Sequence, residues 1–185
     1  MSPYVDGDEQ LTVHGVDPFA TPPEHRSIAR RLRARVAMGV SVWTSGRDDN
    51  RTGLTISSML VAEGSPSIVL GLMNGTTDLY LGINETRAFV VHLLGERDRV
   101  IADRFAGLRP SPGGLFVGIE TEDGDRGPIV SAFPNRVHCR YLGATRAGYQ
   151  ELVTGEIERI ELDDLADPLV YFRGRYRALK PDRDR

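Results

Sequence analysis

Three hydroxyl side chains crowd one short run of the chain: Thr55, Ser57 and Ser58, in Gly53-Leu-Thr-Ile-Ser-Ser58. Hydroxyls and neighbouring backbone N–H groups supply several donors at close quarters, which is what a phosphate requires. Ser and Thr also populate ordinary turns, so this run alone does not define a site. Asn74-Gly-Thr-Thr-Asp78 adds a second cradle of the same kind. It opens a short helix with Thr76 or Thr77 as cap, and a helix N-terminus offers free N–H groups and a favourable dipole to an anion. Simple capping is the alternative account of those threonines.

Other chemistry has no obvious home. The histidines His14, His25, His92 and His138 are scattered without ligand spacing. His92 lies in an apolar run and reads as a hydrogen-bonded core residue. Phosphate-loop, nucleophile-elbow and zinc-helix motifs are absent from the sequence. Glu120, Glu122, Asp123 and Asp125 lack the spacing of a calcium loop and read as a solvated loop. An anion cradle without an acid–base or nucleophilic constellation suits a cofactor that carries the chemistry itself.

The scaffold around these residues is bounded by composition. With 185 residues, 40% hydrophobic and 26% charged, the chain reads as one soluble globular domain. A net charge of −3 disfavours general nucleic-acid binding and attraction to anionic membranes. The single cysteine, Cys139, forms neither an intrachain disulfide nor a cysteine metal cluster, so a cytoplasmic protein is expected. The acidic start (Asp6, Asp8, Glu9) does not resemble a signal peptide, and no apolar run has transmembrane length.

Residues 1–20 read as an extended arm and 181–185 as a charged tail, leaving 21–180 as the domain. Thr21-Pro-Pro-Glu24 has the form of a capping box opening a helix to about Arg35, with Ile28 and Leu32 on its apolar face. Its arginines (Arg26, Arg30, Arg31, Arg33, Arg35) read as a solvated face, with an anion site as the alternative. Val36 to Thr44 alternates: Val36, Met38, Val40 and Val42 face one way, Ala37, Gly39, Ser41 and Trp43 the other, so a strand is expected. Ser45–Asn50 turns the chain into a second strand, which carries the hydroxyl run and stops at Ser65-Pro66. Ser67–Met73 and Ala88–Leu94 are apolar on both faces and read as buried strands. Glu96–Ala106 is an amphipathic helix ended by Gly107. Leu108–Gly127 is irregular. Strands at Pro128–Phe133, Val137–Ala144 and Glu151–Ile160 follow, with Thr145–Gln150 as a hairpin link, and 168–177 closes the domain. About seven strands joined mostly as hairpins point to a mainly β fold with a few helices, of Greek-key or split-barrel type rather than a Rossmann sheet.

Collinear pieces of the chain resemble the flavin reductase-like family with the FMN-binding split-barrel fold. Ala37-Met-Gly-Val-Ser-Val-Trp-Thr44 resembles the family's ATGV-hydrophobic-Thr strand, and Arg51–Ser58 its G-hydrophobic-T-x-S-S segment. Asn74–Thr77 resembles the polar loop before the small helix. Phe89–Leu94 resembles FAVNVL, Asp103–Gly107 resembles LARRFAG, and Pro168–Tyr176 resembles PLVYHRGRY. The match runs from about Glu24 to Leu179. The resemblance implies a homodimer with flavin, FMN or FAD, at each subunit interface. It implies that Thr55, Ser57 and Ser58 line the ribityl-phosphate and ring edge, that Thr76 and Thr77, with Asn74, hold the phosphate, and that backbone around Thr44 and Ile56 faces the isoalloxazine. The implied activity is hydride transfer from NADH or NADPH to flavin, with reduced flavin passing to a partner monooxygenase.

Three departures accompany this resemblance. Gly148-Tyr149-Gln150 stands where many members have Gly-Asp-His, Phe172 where the terminal motif has His, and His92 where Asn is usual. Two functions therefore follow: an NAD(P)H:flavin oxidoreductase, adopted as the main expectation, and a flavin-binding protein of another use (a carrier, or a deazaflavin- or haem-dependent relative).

Overall fold

The computed structural model describes residues 28–179, so the expected arm, the Thr21–Glu24 cap and the charged tail lie outside the described residues. Helix α1 (Ile28–Arg33) is the described part of the first helix. Its apolar residues are not buried: Ile28 and Leu32 are 82% and 65% exposed, so no described residue covers the stripe that the sequence sets up.

The alternation of 36–44 is realised with one interruption. Val40 N donates to Leu169 O, and Val40 O accepts from Leu94 N. The expected single strand is therefore two, β1 (Met38–Gly39) and β2 (Ser41–Ser45), in different sheets. Alternation still sorts the side chains. Val40 and Val42 pack with Leu94, Ala102, Phe105 and Leu169, while Trp43 packs with Ile56, Val69, Met73, Phe89 and Val153.

After β2 come β3 (Thr52–Ile56), β4 (Met59–Ala62), β5 (Ile68–Met73), α2 (Asp78–Thr86), β6 (Ala88–Leu93) and α3 (Arg99–Phe105). The expected irregular segment 108–127 contains a strand, β7 (Thr121–Gly124), which pairs with β8 (Gly127–Val130); the acidic run is part of a small hairpin rather than only loop. Two long strands follow, β9 (Arg136–Ala147) and β10 (Gln150–Glu161), turned at Gly148-Tyr149. Gly148 has φ +63°, which suits a glycine at the first position of a two-residue hairpin. The chain ends in β11 (Val170–Phe172) and β12 (Arg175–Arg177), which form a small sheet with β1.

The main sheet has seven strands in the order β3-β2-β6-β9-β10-β5-β4. All six pairings are antiparallel, so β3 and β4, at its opposite edges, run in the same direction. Yet only Ser57 and Ser58 separate them. A link that short spans roughly 10 Å at most, so the sheet must curl until its edges meet. β3 and β4 are two halves of one strand, the first paired with β2 and the second with β5. The barrel is split there, because each half leaves its other backbone edge without a ladder partner.

The rest of the barrel is filled. Trp43 and Phe89 stack at 4.8 Å and 6° inside it. Room for them comes from two glycines: a Cβ on Gly71 would lie 2.6 Å from the Trp43 ring, and one on Gly155 would overlap Phe89. Trp43 Nε1 donates to Ser41 Oγ, which donates to Ile56 O, so the buried indole N–H is satisfied.

Candidate functional site at the split of the barrel

The expected site residues fall into two sets. Thr55, Ile56, Ser57 and Ser58 run through the split itself, and a contact from Ser58 joins them to the segment that leads to Asn74, Thr76 and Thr77. That contact is to β5: Ser58 Oγ donates to Leu72 O at 2.9 Å, and Leu72 N donates to Ser58 O. Leu72 is two residues before Asn74, so both hydroxyl-rich segments share one stretch of wall. Thr44 is apart from them. It is fully buried, pairs with Gly53, and donates through Oγ1 to Pro128 O at 2.6 Å.

Several of these hydroxyl protons already have partners. Thr55 Oγ1 donates to Ala102 O at 2.7 Å and thereby ties β3 to α3. Asn74 Oδ1 accepts from both the backbone N and the Oγ1 of Thr76. Thr77, rather than Thr76, caps α2: its Oγ1 donates to Asn74 O and accepts from Tyr80 N. Each of these hydroxyls keeps acceptor capacity. Ser57, half-buried at the kink, makes no side-chain hydrogen bond among the described residues and is free in both roles.

The β9–β10 hairpin closes the lower side of this region. Glu151 pairs with Met73 across the sheet, and a Cβ on Gly75 would lie 3.2 Å from Glu151 Cγ, so the Asn74–Thr77 turn rests on Glu151. Arg146 Nη1 donates to the same carboxylate at 2.9 Å. Tyr149 at the hairpin tip is 94% exposed. Sequence reasoning missed Glu151 and Arg146. The signal was Gly75, whose lack of a side chain admits Glu151, but only the sheet register reveals that neighbour.

His92 has the core role expected of it. One ring nitrogen, Nδ1, lies 3.2 Å from Val42 O, and Nε2 accepts from Val130 N at 3.2 Å, which fixes the proton on Nδ1. Burial pushes its pKa down to about 3, so the ring is neutral. A cavity of about 500 Å³ lined by Leu93, Gly95, Asp98, Asn135 and Asp167 among others contains none of the expected site residues. Burial raises the Asp98 carboxyl there, while Gly95 N donates to it at 2.8 Å.

A family model described as flavin reductase like domain matches residues 33–180. The chain belongs to the flavin reductase-like family. As a member it is an oxidoreductase with the split-barrel fold expected from the sequence. The chain is 30% identical over 146 residues to the reductase component of 4-hydroxyphenylacetate 3-monooxygenase from Thermus thermophilus, covering 79% of this chain and 91% of that protein. It is 23% identical to the FMN reductase (NADH) RutF of Variovorax paradoxus over 97% of both chains. Among solved structures, BorF, the flavin reductase component of a bacterial two-component tryptophan halogenase, matches with a TM-score of 0.72 and 27% identity, over 84% of this chain and 99% of that one. The NADH:FAD oxidoreductase SgcE6 of Streptomyces globisporus, in complex with NAD and FAD fragments, shares the fold with a TM-score of 0.77 at 22% identity, over 89% and 99% of the two chains. No helix among the described residues is long and apolar enough to cross a membrane.

Proposed function

We propose that this flavin reductase-like protein transfers hydride from NADH or NADPH to FMN or FAD at the split of the barrel, and supplies reduced flavin to a monooxygenase. The observation that carries the site is the kink at Ser57-Ser58, where two half-strands each leave one backbone edge without a ladder partner. Such edges offer alternating N–H donors and C=O acceptors, a fit for the polar edge of a flat heteroaromatic ring.

The donor set fits the remainder of a flavin. Ser57, with both hydrogen-bonding roles free, and the acceptor capacity of Thr55 and Ser58 suit the ribityl hydroxyls. Asn74, Thr76 and Thr77 at the start of α2 suit the phosphate, helped by the helix dipole. When bound, the flavin supplies the hydride acceptor and the electrons passed onward. The protein's own task is positioning: β3 is fixed to α3 through Thr55, and β4 to β5 through Ser58, so the groove walls hold their places without a ligand. His92 takes no part, since both ring nitrogens are bound to backbone in the core.

Leu60 and Val61 of β4, next to the split, are exposed at 69% and 58%. A second copy of the chain covers them in this reading, giving a homodimer with shared flavin sites. A cytoplasmic location agrees with the buried, reduced Cys139.

The test is anaerobic. The FMN-loaded protein receives NADH in one cuvette and NADPH in another. Bleaching of the oxidised flavin with either donor supports the reductase; flavin that binds yet stays yellow for minutes with both leaves a flavin carrier instead.

A further inference from the structure

Arginines are distributed unevenly over the surface. On the barrel wall Arg136, Arg140, Arg146 and Arg159, with Arg126 from the β7–β8 turn, all face carboxylates, from Glu151, Glu156, Glu158 and Glu161. At the other extreme, Arg31, Arg33 and Arg35 near α1, and Arg173, Arg175 and Arg177 of the β11–β12 hairpin, are exposed and form no ion pair among the described residues. The two groups are neighbours, because Arg173 N donates to Ala34 O. They form one basic face on a chain whose net charge is −3.

This face adjoins the groove through a short chain of contacts. Tyr176, between Arg175 and Arg177, packs against α3, where burial and the nearby Asp103 carboxylate push its pKa up. The preceding residue, Ala102, accepts the hydrogen bond from Thr55, two positions before Ser57. Arg175 and Arg177 alternate with Tyr176 on β12, so they face solvent while Tyr176 meets α3, and the basic face lies across α3 from Thr55.

FMN, FAD and the nicotinamide dinucleotides all carry negative phosphate charge, and a net-negative protein repels them at long range. Resting on the flavin-reductase reading, we propose that the arginine face steers phosphate-bearing flavin into the groove from solution. Unpaired charges beside a site act chiefly on association, raising the on-rate without touching the bound ligand, and salt screens them. A face neutralised by ion pairs, like the barrel wall, has no such field.

Riboflavin is the discriminating probe, since it has the same ring and ribityl chain but no phosphate. Stopped-flow quenching of flavin fluorescence by the protein gives both association rates. The FMN rate is expected to fall roughly tenfold as salt rises from about 20 to about 300 mM, while the riboflavin rate changes less than about twofold. Arg175→Glu with Arg177→Glu should abolish most of the FMN advantage at low salt and leave riboflavin association as it was. Arg31→Glu with Arg33→Glu, on a helix without buried residues, should act in the same direction, and unchanged riboflavin binding certifies the fold of both variants. Equal salt dependence for the two flavins, or an FMN advantage that survives both double variants, overturns the steering role while leaving the reductase intact. Failure of either flavin to bind defeats the reductase reading itself, and steering with it.

Discussion

The closed wall of the barrel and its split are made from one sheet, yet they spend their polar groups in opposite ways. Inside the wall, Trp43 stacks on Phe89, its N–H is bonded to Ser41, and glycines at 71 and 155 admit the rings. At the split, Ser57 lacks a partner and two strand edges are unpaired. In the wall the stacked rings and the indole N–H are matched, although Thr52 Oγ1 and Arg136 Nη1 on its strands are buried without a partner among the described residues. The split can bind because matching stops at the two residues where the strand changes neighbours. Stability and recognition thus occupy different segments, and substitutions should separate them.

The largest effect is expected at the wall. Gly155→Ala drives a Cβ into the Phe89 ring and should cost about 3 kcal/mol, read as a lower midpoint in denaturant unfolding. Flavin affinity of the folded fraction should stay within about twofold, because the groove is untouched. A loss of affinity with no loss of stability would break the comparison.

Acid probes the wall next. The folded pKa of His92 lies below its unfolded value, so the neutral ring contributes stability that is complete above about pH 6.5 and lost as pH falls toward about 3. One proton per molecule gives a slope of about 1.4 kcal/mol per pH unit, or roughly 2 kcal/mol between pH 6.5 and 5. Unfolding midpoints of wild type and His92→Asn across that window should diverge in slope, the variant being flatter. Parallel slopes would mean that His92 is not the titrating group.

Thr55 lies on the boundary between the regions. Thr55→Val removes one of the two hydrogen bonds to the Ala102 carbonyl, which keeps Ala106 N, and should cost about 1 kcal/mol, together with weaker flavin binding as β3 loosens from α3. Ser57→Ala is the smallest perturbation: less than about 0.5 kcal/mol of stability, with flavin affinity reduced severalfold, about 1 kcal/mol. An unchanged titration curve for Ser57→Ala would remove Ser57 from the ligand set.

Much of the wall was legible in the sequence. Period-two alternation sorted Val40 and Val42 from Ser41 and Trp43, and the runs Ser67–Met73 and Ala88–Leu94 announced buried strands, because burial leaves a local hydrophobic signature. The hydroxyl run and the Asn74 turn were equally visible. What the sequence concealed was non-local. Residues 52–62 read as one strand, and nothing local says that its halves pair with β2 and β5 at opposite sheet edges. Nor does a hydroxyl reveal its partner: Thr44 and Thr55 look alike in sequence, but one is bonded in the closed interior and the other beside the groove. Amphipathic spacing gives α1 its apolar face of Ile28 and Leu32 but not what covers that face, which is exposed among the described residues.

The central claim is that flavin binds at the split, and amide hydrogen exchange with and without FMN tests it most directly. Unpaired edge N–H groups exchange fast in the free protein and slow when a ligand accepts from them. The account predicts new protection at residues 57–62 and 74–80, with β6 and β9 unchanged. Protection confined to the cavity around Gly95, Asp98 and Asn135, with the split still exchanging freely, would contradict it.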